Sequence, residues 1–109
     1  MPVTPEFRDA TLPKLAAVCN LRSKPMFGGI GIYCDEVFFA CIDDDRIYFK
    51  VGAENLSDYE ALGADSWVIG SGELMKNYRE LPSAVLANPK ELAVWIEKSV
   101  AAALNKKKR

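Results

Sequence analysis

Three groups of residues in this 109-residue chain have types and spacings that could do chemistry. They are the glycine cluster Gly28-Gly29-Ile30-Gly31, the acidic run Asp43-Asp44-Asp45, and the cysteines Cys19, Cys34 and Cys41. A dinucleotide phosphate loop needs its glycines between a strand and a helix, with an acidic residue about 20 positions on. Here the glycines lie in an apolar run that leads into a hairpin, so they mark a bulge or the close approach of another element. A calcium loop spreads oxygen ligands over about 12 residues and ends in a glutamate. The three aspartates instead occupy a tight strand connection and read as a solvated turn. The cysteines are odd in number and none forms a Cys-x-x-Cys pair. They read as small apolar residues of a reducing compartment, with Cys34, beside a hairpin turn, the most open to oxidation.

The chain has no histidine, which removes the usual zinc sites, the Ser-His-Asp triad and the Cys-His pair. Glu73, Lys76 and Glu80 share an expected hairpin edge, with nothing to place them in a cleft. The expectation is a non-enzymatic domain with no catalytic residue, no cofactor and no metal.

The elements that must position these residues follow from periodicity. Thr4-Pro5 opens a helix as cap and first position, and Pro13 kinks or restarts it before an end near Asn20. Met26–Val51 reads as three antiparallel strands joined by tight turns. The first puts Met26, Gly28, Ile30 and Ile32 on one face and Phe27, Gly29, Gly31 and Tyr33 on the other. The second, Val-Phe-Phe-Ala-Cys-Ile, is apolar on both faces and suits a central position. The third alternates Ile47, Phe49 and Val51 against Arg46, Tyr48 and Lys50, the pattern of a sheet covered on one side. A short helix capped by Asn55 or Ser57 stops at Gly63. Trp67–Ile69 and Leu74–Tyr78 form a hairpin around Gly70-Ser71-Gly72. Pro82-Ser83 opens a helical turn. Asn88-Pro89-Lys90-Glu91 starts a last helix with an apolar stripe of Leu92, Trp95, Ile96, Ser99, Val100 and Ala103. The fold class is therefore α+β and two-layered, an antiparallel sheet with helices packed against one face. Its order is helix, three strands, helix, two strands, helix.

Composition bounds the rest. Residues 1–109 make a single domain with a short basic tail at 105–109, large enough to bury roughly 60–65% of its unfolded surface. Half the residues are hydrophobic and 27% charged, which argues against disorder. No apolar run approaches the ~20 residues of a membrane-spanning helix. The opening residues lack a positive stretch followed by an apolar core, so a cytoplasmic location is expected. Between Asp35 and Asp65 the net charge is −7, and from Lys98 to Arg109 it is +5. The body would repel a phosphate backbone, so direct nucleic-acid binding is not expected.

On the uncovered face, Phe27, Tyr33 and Tyr48 around Gly29 and Gly31, with Lys50 beside them, would form an aromatic-rimmed shallow groove. That groove is the candidate interaction surface. Packing or a homodimer contact is the alternative use of the same residues.

Met26-Phe27-Gly28-Gly29-Ile30-Gly31-Ile32-Tyr33, followed by Ile47-Tyr48-Phe49-Lys50-Val51, resembles the N-terminal domain of the TfoX/Sxy regulators of natural competence. Tyr78 and Pro82 are similar to the family's Tyr-x-x-x-Pro segment, and Asn88 to Trp95 to its last helix. The resemblance runs from about Pro5 to Ala103. It implies a two-layer fold similar to secretion chaperones. It also implies transcription or competence regulation through protein contacts, with the transcription machinery as partner and no catalytic residues. Full-length regulators carry a second, C-terminal domain, and often an arginine before the Met-Phe-Gly-Gly block, where this chain has Lys24-Pro25. The alternative is a ligand-binding or self-associating module with no regulatory role.

Overall fold

The computed structural model describes residues 3–26 and 28–107, the side chains of 106 and 107 excepted. In chain order the elements are α1 (Pro5–Ala16), β1 (Leu21–Met26), β2 (Gly29–Cys34), β3 (Val37–Asp43), β4 (Arg46–Lys50), α2 (Leu56–Glu60), β5 (Ser66–Val68), β6 (Leu74–Glu80), α3 (Ser83–Leu86) and α4 (Pro89–Lys107). All strands pair antiparallel in one sheet of order β1-β2-β3-β4-β6-β5. The α+β, two-layer architecture is as the sequence implies. Among the described residues, no helix is long and apolar enough to cross a membrane.

One strand more precedes α2 than the periodicity suggests. Met26 does not open β2 but ends β1, and Gly28 at φ 81° turns the chain between them. β1 is an exposed edge strand carrying Arg22, Ser23, Lys24 and Pro25, so it has no apolar alternation to betray it. Its proline is tolerated because an edge strand has a side that needs no ladder bond.

Two tight hairpins set the central strands. Asp35 and Glu36 both have positive φ, as do Asp44 and Asp45, which is the backbone of the two-residue turns that match strand twist. Aspartate tolerates this region better than most residues. Glu36 is held there by the Arg22 guanidinium at 2.9 Å. On β3, Phe38 opposes Tyr33 and Ala40 opposes Ile32, so Phe39 is a bulge residue with no cross-strand partner. The bulge sends Phe39 and Ala40 to the same side, which is why this strand reads as apolar on both faces.

The helices all lie on that side. Their buried residues Leu15, Tyr59, Val85, Leu92 and Ile96 close over Ile32, Phe39, Ala40, Ile42, Ile47, Phe49 and Val51. Helix starts are chemically marked. The Thr4 hydroxyl accepts from the Phe7 N–H at 3.2 Å, and Asn88 Oδ1 accepts from the N–H groups of Lys90 and Glu91. α1 then runs unbroken through Pro13 to Ala16. Asn55 precedes α2 but does not cap it with its side chain. Fully buried, it accepts from the Gly52 N–H at 2.8 Å and donates to the Lys50 carbonyl at 3.0 Å. The Ser99 hydroxyl donates to the same carbonyl at 2.7 Å and so ties α4 to the end of β4.

Candidate interaction surface

The helix-free face of the sheet is built by strand parity. Arg22, Lys24 and Met26 come from β1, Gly29, Gly31 and Tyr33 from β2, and Phe38, Cys41 and Asp43 from β3. Opposite Cys41 and Asp43 stand Tyr48 and Arg46 of β4, with Lys50 two residues beyond Tyr48 and paired to Tyr78 of β6. Five of the six residues expected on the interaction surface therefore share this face: Gly29, Gly31, Tyr33, Tyr48 and Lys50. Phe27 lies outside the described residues.

The face is not an open groove. Gly31 is buried, and a Cβ on it would sit 3.0 Å from Met26 Cε and 3.1 Å from Phe38 Cε1. Met26 and Phe38 thus fill the trough that the glycines create. Met26 belongs with Gly31 rather than with Ile30 and Ile32, a consequence of the turn at Gly28. On Gly29 a Cβ would collide with the Ile42 carbonyl oxygen, so glycine lets β2 approach β3 there.

Tyr48 is covered too, at 6% exposure. Trp67 lies on it with ring centroids 5.9 Å apart and nearly parallel planes, and meets Tyr78 edge-on at 5.5 Å. Trp67 arrives on the β5–β6 arm. Ser66 pairs with Arg79 but Trp67 with Met75, a jump in register that leaves residues 76–78 of β6 without β5 partners. The indole Nε1 donates to Asp43 Oδ2 at 2.9 Å, a buried bond that fastens the arm to the sheet. Asp43 is thus not part of a solvated turn. Its neighbour Asp45 accepts from the N–H and hydroxyl of Thr4 at 2.8 and 2.9 Å. The acidic run organises two junctions of the fold.

What stays accessible is the half nearer β1. The Arg22 guanidinium lies 4.2 Å from the centre of the Tyr33 ring and Lys24 Nζ 5.7 Å from it. Lys50, expected beside the open groove, is instead buried at 7% exposure, its Nζ 4.9 Å from the centre of the Tyr78 ring. Tyr33, Glu36, Val37, Phe38, Lys50 and Tyr78 line a shallow depression of about 310 Å³. Arg22 and Lys24 are exposed, so over the Tyr33 ring they keep their charge toward solvent, a geometry for contact and charge matching.

Burial pushes the Cys41 thiol up to about 12, and the carboxylate of Asp43 adds to it. Burial also raises the phenols of Tyr48 and Tyr78. These groups are protonated at neutral pH, so they bind and pack rather than attack. Glu80 pairs with Arg46 at 3.5 Å, while Glu73 and Lys76 stand exposed on β6 and its connection. Among the described residues, no group of three or more metal-ligating side chains could hold a metal ion. The basic tail lies mostly outside the described side chains.

Sequence reasoning missed Trp67, Asp43, Met26 and Phe38 as builders of this face. A lone tryptophan in a three-residue strand was the available signal, since so large a ring needs a surface to cover.

No curated protein matches the chain significantly. The family model of the TfoX N-terminal domain matches residues 14–103, which takes in the sheet, its helix-free face and most of the helices. The chain belongs to the TfoX N-terminal domain family.

Proposed function

We propose that this domain is a small non-enzymatic regulatory module that acts in the cytoplasm, in transcription or competence regulation, through protein contacts. One observation carries the reading. The sheet keeps one face clear of helices and arranges Arg22, Lys24 and Tyr33 on it as a cation–aromatic surface over a floor filled by Met26 and Phe38. Family membership supports the regulatory part, and the transcription machinery is the partner class it suggests. The test is affinity capture from nuclease-treated cells with the full chain and with the double variant Arg22→Glu, Tyr33→Ala. Recovery of a transcription factor or RNA polymerase that the variant loses supports the reading. Equal recovery with both proteins, or none with either, overturns it. Tyr48 is unsuitable for this test because it lies under Trp67.

The ligand-binding alternative also has an observation in its favour. A groove of about 510 Å³ at the junction of α1, β4 and α3 is lined by Phe7, Ile47, Leu62, Leu81 and Leu86, with Asp65 and Glu80 at hand. Its size and apolar lining suit a small molecule.

A further inference from the structure

The two edges of the sheet are built differently. β1 carries Lys24 and Pro25 at its exposed edge, residues that discourage a further strand from pairing. β5 carries neither. Among the described residues β5 pairs only with β6. The Asp65 carbonyl accepts from the Glu80 N–H at 2.8 Å, and the Ile69 N–H donates to the Glu73 carbonyl at 3.0 Å. Both residues therefore turn their backbones inward, and alternation along the strand leaves the backbone groups of Ser66 and Val68 facing outward.

Apolar surface and charge lie beside that edge. Val68 and Leu74 are direct cross-strand partners, 51% and 48% exposed, on an arm whose other side is buried by Trp67. A groove of about 710 Å³ runs past them, between the arm and Tyr48. Among the described residues that line it, the exposed carboxylates are those of Asp44 and Asp65, and the cation is Arg46, already held by Glu80. The stretch from Asp35 to Asp65 has a net charge of −7.

We propose that the outer edge of β5 is the docking edge for an extended, basic segment of a partner protein. The segment adds as a further strand against Ser66 and Val68. Its apolar side chains cover Val68 and Leu74, and its lysines or arginines meet Asp44 and Asp65. This mode takes affinity from main-chain bonds and specificity from alternate side chains. The proposal rests on the reading of the domain as a protein-contact module and names the chemistry of the contact.

The probe is a fluorescein-labelled peptide of alternating lysine and valine, with a glutamate–valine peptide of equal length as control. Anisotropy titration of the full-length protein is expected to show saturable binding of the basic peptide only. Backbone amide shifts should centre on residues 65–75. Val68→Lys and Asp65→Lys, both at exposed positions, are each expected to weaken binding about tenfold, with circular dichroism unchanged. Equal binding of the acidic peptide, shifts centred on β1, or indifference to both variants would overturn the proposal. So would a dimer in sedimentation that Val68→Lys dissolves, because the edge would then belong to a second copy. If Val68→Lys protein still captures transcription machinery while Arg22→Glu, Tyr33→Ala protein does not, the docking edge falls and the regulatory reading stands.

Discussion

The two faces of this sheet are closed by opposite means. One is covered by α1 to α4, and its core is a broad set of interlocking residues from every element except β5 and β6. The other is covered by a single short arm, and its small cluster of Cys41, Tyr48, Trp67 and Tyr78 depends on one tryptophan. The difference separates redundancy from dependence. A hole on the helix side is shared among many neighbours, whereas loss of Trp67 removes the lid of its own cluster.

Truncation on the helix side should have the largest effect. Phe49 is fully buried and packs edge-on against Phe39 at 5.1 Å. Phe49→Ala is expected to cost about 4 kcal/mol of global stability, read as an earlier urea midpoint with one cooperative transition. Comparable protection of all core amides in that variant would show that the face fails as a unit.

Trp67→Ala tests the other face. The expected cost is about 3 kcal/mol, with a different signature. Amides of β5 and the arm should exchange quickly while those of β3 and α4 keep most of their protection, since the arm can open without the helices. Trp67→Phe keeps a ring over Tyr48 but drops the N–H to Asp43 in a buried setting, and should cost about 2 kcal/mol. Uniform loss of protection in Trp67→Ala would mean that the two faces are one cooperative unit, and the comparison would break.

These contrasts explain what was legible in the residues themselves. The helix face announced itself through Ile47-x-Phe49-x-Val51 and the Asn88-Pro89 start, because alternation and caps are local signals. β1 was silent because its four middle residues are exposed and need no alternation. The cover over Tyr48 was silent for another reason. Whether Arg46, Tyr48 and Lys50 face water depends on where a hairpin some 20 residues later bends, and the jump from Arg79 to Met75 in its register has no local signature. The residues expected to form the surface therefore share one face, but Tyr48 and Lys50 lie deeper than an open groove would place them. Gly29 and Gly31 were read as the floor of an open groove, when one admits a neighbouring strand and the other Met26 and Phe38.

The glycines sharpen the comparison on a smaller scale. At Gly29 the obstacle is the backbone of β3, which cannot step aside, so Gly29→Ala should cost about 3 kcal/mol. At Gly31 the obstacles are side-chain ends of the helix-free face, and Met26 can swing away. Gly31→Ala should cost about 1 kcal/mol, readable as a small shift in urea midpoint. Equal costs at the two positions would show that the aromatic face is as unyielding as the ladder beneath it.

A pH dependence is shared by both faces. Cys41 on the aromatic side and Cys19 against the helix core are each pushed from 9.0 up to about 12, first by burial. Cys41 is then raised further by Asp43, and Cys19 by its contact with Cys34. Below pH 9 both thiols are protonated folded and unfolded alike, so their contribution is fully present. Between pH 9 and 12 the unfolded chain loses these protons while the folded one keeps them, and stability must fall. The urea midpoint should therefore be flat from pH 7 to 8.5 and lower at pH 10.5. Cys41→Ala should fall less steeply than the parent over that interval, and Cys19→Ala likewise. A variant that changed only the absolute midpoint, with the slope above pH 9 intact, would show that its thiol already ionises freely in the folded protein. For Cys41 that outcome would mean the arm is open to water, and the aromatic face would have to be described as a door rather than a wall.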